Sequence, residues 1–105
     1  MCYDVVFAPA ARDDLDDLYA YIRDHGSARA AERYVGRIWA FCRQFEQFPE
    51  QGTRRDNLRP GLRTIGFQRR VTIAFAIIDK RVVILRILYG GRDIGGALAE
   101  GGDTP

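Results

Sequence analysis

The chain has almost none of the residues that build metal centres or thiol chemistry. Its 105 residues include two cysteines, Cys2 and Cys42, and one histidine, His25. Two cysteines make no disulfide framework, and a lone histidine removes most zinc sites and most His-dependent triads. Cys42 therefore reads as a buried thiol and His25 as a cation at a helix C-terminus. Lysine is scarce too, outnumbered by arginine 15 to 1. No run approaches the roughly 20 apolar residues of a membrane span, and no basic, apolar, then small leader opens the chain. The expectation is a soluble, cytoplasmic protein with no metal and no cofactor. Any catalysis would rest on Arg, Tyr or carboxylates.

What is present is enough for one core. A chain near this length buries about two-thirds of its unfolded surface, and 47% of these residues are hydrophobic and 11% aromatic. The net charge of +2 hides an asymmetry. Residues 1–50 carry six Arg against nine acids, giving −3, whereas residues 51–105 carry ten basic residues against five acids, giving +5. Within 54–92 the ten basic residues meet only Asp56 and Asp79. That stretch suits an anionic partner such as nucleic acid, a ribosome or an acidic protein segment. A solvated basic face with no ligand would give the same pattern.

Periodicity then orders the chain. Tyr3, Val5 and Phe7 alternate as one face of a short strand. Pro9 opens a helix whose stripe is Ala11, Leu15, Leu18, Tyr19 and Ile22, closed by Gly26. Asp13, Asp14, Asp16 and Asp17 crowd its start and read as a solvated face favoured by the helix dipole. Ser27 caps a second helix of about twenty residues, with apolar positions running from Ala31 to Phe48. Its apolar stripe is wider than one packing contact needs, so the edge around Trp39 or Phe41 is left for another chain. Residues 49–61 read as a polar loop. Strands follow at Leu62–Phe67, Val71–Ile78 and Val82–Tyr89, with Val71, Ile73, Phe75 and Ile77 on one face. Short turns between them imply an antiparallel three-stranded meander. The fold class is α+β in the order β-α-α-β-β-β, a helical hairpin packed on a small sheet. Residues 1–92 form the domain and residues 93–105 a flexible glycine-rich tail.

This order and its local words resemble the RelE/ParE superfamily of bacterial type II toxins, closest to the ParE (plasmid stabilisation) branch. The words are Tyr3-Asp-Val-Val-Phe7, the helix Ala10 to Ile22, Ala30-Ala31, Phe48-Pro49-Glu-Gln-Gly52, Asn57-Leu-Arg-Pro-Gly-Leu-Arg63, and Val83-Ile-Leu-Arg86-Ile-Leu-Tyr89-Gly-Gly-Arg92-Asp93. They span nearly the whole chain, and their specificity lies in the series rather than in any one word.

The resemblance implies a toxin neutralised by a cognate antitoxin with a DNA-binding N-terminal domain and an acidic, amphipathic tail. Operator DNA would then be contacted through the antitoxin, in a hetero-oligomeric complex. Candidates for antitoxin contact are Tyr34, Ile38, Trp39, Phe41, Arg63 and Arg86. The ParE branch implies poisoning of DNA gyrase, with Arg63, Arg69, Arg70, Arg86, Tyr89 and Arg92 as target-binding candidates. The RelE branch implies ribosome-dependent mRNA cleavage, for which Arg63, Arg86, Tyr89 and Arg92 would cluster at the end of the sheet. A non-toxic member acting only as antitoxin partner or co-repressor is the third reading. Two departures count against cleavage: Tyr89-Gly90-Gly91 stands where ParE members commonly have His and two basic residues, and Phe75-Ala76 where many have Tyr-Arg.

Overall fold

Residues 2–90 and 96 are described in a computed structural model of the chain. The expected tail at 93–105 and the candidate Arg92 lie outside the described residues. Strand β1 is Asp4–Phe7, and Pro9 begins helix α1, Pro9–His25. Proline suits the first turn because its missing N–H had no helical partner to lose. Ala11, Leu15 and Leu18 are buried, as their spacing predicts. Helix α2, Ala28–Arg43, starts at Ser27, whose hydroxyl accepts the Ala30 N–H at 3.0 Å. This helix is shorter than its apolar pattern. It tightens into a 3-10 turn at Gln44–Glu46, and Phe48 is left 64% exposed. Pro49 is the physical reason, since the residue before a proline is pushed out of the helical region.

Four strands complete the chain: β2 (Thr53–Arg54), β3 (Leu62–Phe67), β4 (Val71–Ile78) and β5 (Arg81–Tyr89). The sheet runs β1-β5-β4-β3-β2. Strands β3, β4 and β5 form the expected antiparallel meander. The sheet as a whole is mixed, because β1 lies parallel beside β5, with Asp4 opposite Arg81 and Phe7 opposite Ile84. The helical hairpin supplies the long crossover that a parallel neighbour requires. Strand β2 was not expected in the polar loop; Thr53 and Arg54 pair with Thr64 and Arg63. Gly52 makes that pairing possible, since a Cβ at its φ of +78° would run into the Thr64 carbonyl.

Alternation along β4 sorts the interior into two clusters. Val71, Ile73 and Phe75 meet Ala11, Leu15, Leu18, Ile38, Cys42 and Phe45 in the main core. Phe45 stacks on Phe75 with ring centroids 4.4 Å apart. Ala74 and Ala76 join Leu62, Val83 and Leu85 in the second cluster. The pairing slips between them: Ala74 faces Arg86 but Phe75 faces Ile84, leaving Leu85 as the extra residue of a β-bulge. Among the described residues, no helix is long and apolar enough to cross a membrane, and no group of His, Cys, Asp or Glu could hold a metal ion.

Candidate functional site

Past Ile84, where β1 ends, helix α1 takes over beside β5 and presents Asp14. Arg86 Nε and Nη2 donate to the two oxygens of this carboxylate at 2.7 and 2.9 Å, and the Ile87 N–H donates to it at 2.9 Å. Asp14 is 7% exposed and Arg86 6%. A guanidinium held this way in the interior is a structural partner, so Arg86 offers no free face to an antitoxin or a target. Asp14 also departs from the acidic face predicted for α1, while Asp13, Asp16 and Asp17 are exposed. The first turn of α1 holds no acid, so the dipole argument applies weakly. A signal for Asp14 existed. It follows Ala11 by three residues and precedes Leu18 by four, which puts it on the buried stripe.

Of the four residues expected for RNA cleavage, Arg92 lies outside the described residues, and Arg63 is not brought to Tyr89. Arg63 sits opposite Phe75 on β4, whereas Tyr89 sits opposite Val71, four positions further along. At ~3.3 Å per residue that is roughly 13 Å along the strand. Arg63 Nη1 instead donates to the Gln51 carbonyl at 3.3 Å. Ile38 is fully buried in the core, so its side chain presents no surface in the chain alone. Phe41 is partly buried, packed on Phe67 at 5.2 Å and Phe45 at 6.0 Å.

Three other candidates do meet. Tyr34, Arg70 and Tyr89 line one cavity of about 360 Å³ together with Ile22, Ala30, Arg33 and Arg37. Arg33 and Arg37 were not singled out from sequence, although their spacing puts both on one face of α2. A second cavity of about 560 Å³ shares Arg70 and Tyr89 and adds Gln68, Arg69 and Gly90. Among the described residues no carboxylate lines either one. The Tyr34 hydroxyl is buried and has no hydrogen-bond partner among the described residues. Burial pushes its pKa up and nearby Tyr89 adds to the rise, while Arg70 and Arg37 oppose it. The turn carrying Arg69 is strained. Gln68 and Arg69 hold φ of 51° and 63°, left-handed conformations that normally go to Gly or Asn.

A separate groove runs between the helices, about 400 Å³ and lined by Arg12, Leu15, Asp16, Tyr19, Val35 and Trp39. Trp39 lies against Phe7 with centroids 4.2 Å apart, yet stays 45% exposed. Of the helix residues expected to serve another chain, Trp39 is the one the fold leaves open.

Comparison with known proteins agrees with this architecture. The family model for the ParE toxin of type II toxin-antitoxin systems matches residues 5–94. Toxin ParE3 of Caulobacter vibrioides is 30% identical over 87 residues, covering 83% of this chain and 86% of that protein. A chain of the chromosomal ParDE system from P. aeruginosa superposes with a TM-score of 0.74 at 26% identity, covering 85% of this chain and 97% of that one. A chain of the RelBE2 toxin-antitoxin complex from Mycobacterium tuberculosis shares the fold, with a TM-score of 0.62 at 22% identity over 85% of this chain and 99% of that one. By sequence and by fold, then, the chain belongs to the ParE toxin family of type II toxin-antitoxin systems.

Proposed function

We propose that this toxin acts in the cytoplasm by poisoning DNA gyrase, without itself being an enzyme. A cognate antitoxin neutralises it by laying an amphipathic segment along the helical hairpin. The observation that carries the non-enzymatic reading is the dispersal of Arg63, Arg86 and Tyr89. Cleavage at a ribose 2′-hydroxyl needs cations on the phosphate and a proton acceptor within hydrogen-bond reach of one another. Here Arg86 is engaged by Asp14, and Arg63 sits several positions away from Tyr89. The groove beside Trp39 supports the antitoxin's place, because a half-exposed Trp at a concave apolar site is a frequent binding hot spot.

The test is gyrase supercoiling with purified chain, scored together with accumulation of cleaved plasmid. Inhibition that the antitoxin reverses, and that survives Tyr89→Phe, is the expected result. A folded chain that spares gyrase but cuts ribosome-bound mRNA, and loses that activity in Tyr89→Phe, would overturn the reading. Trp39→Ala should weaken antitoxin binding by about 2 kcal/mol and leave gyrase inhibition intact.

A further inference from the structure

The basic cleft between α2 and the β3–β4 turn is lined by three arginines and, among the described residues, by no acid. Arg33 and Arg37 line it from α2 and Arg70 from the β3–β4 turn, and Tyr34 is part of the same lining. Arg33, Arg37 and Arg70 are exposed and have no ion pair among the described residues. Among the described residues the buried Tyr34 hydroxyl makes no hydrogen bond, and leaving one unmade in a buried place is costly, so a ligand that accepts from it is favoured. A carboxylate presents two oxygens in one plane and is satisfied by one guanidinium fork. A phosphate presents oxygens in several directions, as this lining requires. The second cavity continues past Tyr89 to Arg69, so a ring stands between two cationic chambers. That alternation suits a strand in which phosphates and bases follow one another. The strained Gln68–Arg69 turn, which holds Arg69 at the second chamber, fits a site maintained at the expense of local stability.

We propose that this cleft binds the phosphodiester backbone of a nucleic-acid strand, with Arg33, Arg37 and Arg70 on the phosphate oxygens and the Tyr34 hydroxyl donating the inner hydrogen bond. Contacts of this kind position a strand without reading its sequence, so operator recognition stays with the antitoxin. The site is independent of the gyrase reading, which can fail while this one stands.

Fluorescence anisotropy with a labelled 12-nucleotide DNA strand, its duplex and the matching RNA tests the site across a salt series, using the full chain. Arg33→Ala, Arg37→Ala and Arg70→Ala should each weaken binding roughly tenfold and flatten the salt slope by about 0.7 on the single strand. Tyr34→Phe should weaken binding several-fold with the slope unchanged. Arg81→Ala, an exposed arginine at the start of β5 that does not line the cleft, should leave affinity near wild type. The three nucleic acids separate DNA from RNA and single strand from duplex, and binding of any one supports the site. Two results overturn it. One is loss in Arg81→Ala equal to loss in the cleft variants, which would mean diffuse charge. The other is displacement of the strand by a poly-glutamate peptide at lower concentration than unlabelled strand, which would make the occupant an acidic protein.

Discussion

Asp14 and Arg86, 72 positions apart in the chain, close a two-pronged ion pair in the interior that ties α1 to β5. Removing one partner strands the other charge out of water. Arg86→Met or Asp14→Leu should each cost about 3–5 kcal/mol, read as a fall in the urea midpoint. The double variant should recover most of that loss, since apolar residues of similar size often replace a buried pair without penalty. Additive losses in the double variant would show that the two side chains act separately.

Tyr34 carries a pH dependence with a definite sign. Burial, assisted by Tyr89, keeps its phenol neutral in the folded chain beyond the ordinary value of 10.0. The folded state therefore holds this proton more tightly than the unfolded state does. Its contribution to stability is complete below the ordinary value and falls as pH rises through the folded one. Tyr34→Phe should remove that part of the alkaline decline and raise neutral-pH stability by about 1 kcal/mol, since a buried hydroxyl with no partner among the described residues is lost. Urea midpoints at neutral pH and above pH ~10 measure both effects.

The two thiols should separate cleanly. Cys2 is exposed, whereas Cys42 is buried and its pKa is pushed up to about 12 by desolvation. A thiolate reagent should titrate one cysteine at once in the native chain and the second only on unfolding. Two fast thiols would contradict the packing of α2 against the sheet.

The Gln68–Arg69 turn should trade stability against binding. Gln68→Asn with Arg69→Gly puts residues suited to positive φ at both strained positions. The pair should gain about 1 kcal/mol in thermal or urea unfolding while losing affinity for a nucleic-acid strand. A gain in stability with affinity intact would leave Arg69 without a binding role.

Much of the fold was legible because its elements are long enough to show a period. The α1 stripe, the Ser27 cap, the three strands of the meander and the buried Cys42 all follow from spacing alone. Strand β2 was not legible, since two residues cannot show alternation. The parallel placement of β1 was also hidden, because pairing between distant strands leaves no local trace. The site divided in the same way. Tyr34, Arg70 and Tyr89 were named individually, but what gathers them with Arg33 and Arg37 is the packing of α2 beside the β3–β4 turn. The sequence left Arg86 open between a partner contact and a structural role, because its partner Asp14 sat among acids that belong in solvent.

The pairing of β1 with β5 also fixes an order of events during synthesis. Strand β1, made first among the described strands, has its neighbour in β5, and α1 finds both that strand and the partner of Asp14 only when residues 81–89 exist. Until then the apolar stripes of the helical hairpin have no sheet to cover them. The packing of α1 and β1 is therefore completed only once β5 has been made, which leaves the nascent hairpin with exposed apolar stripes until residues 81–89 follow.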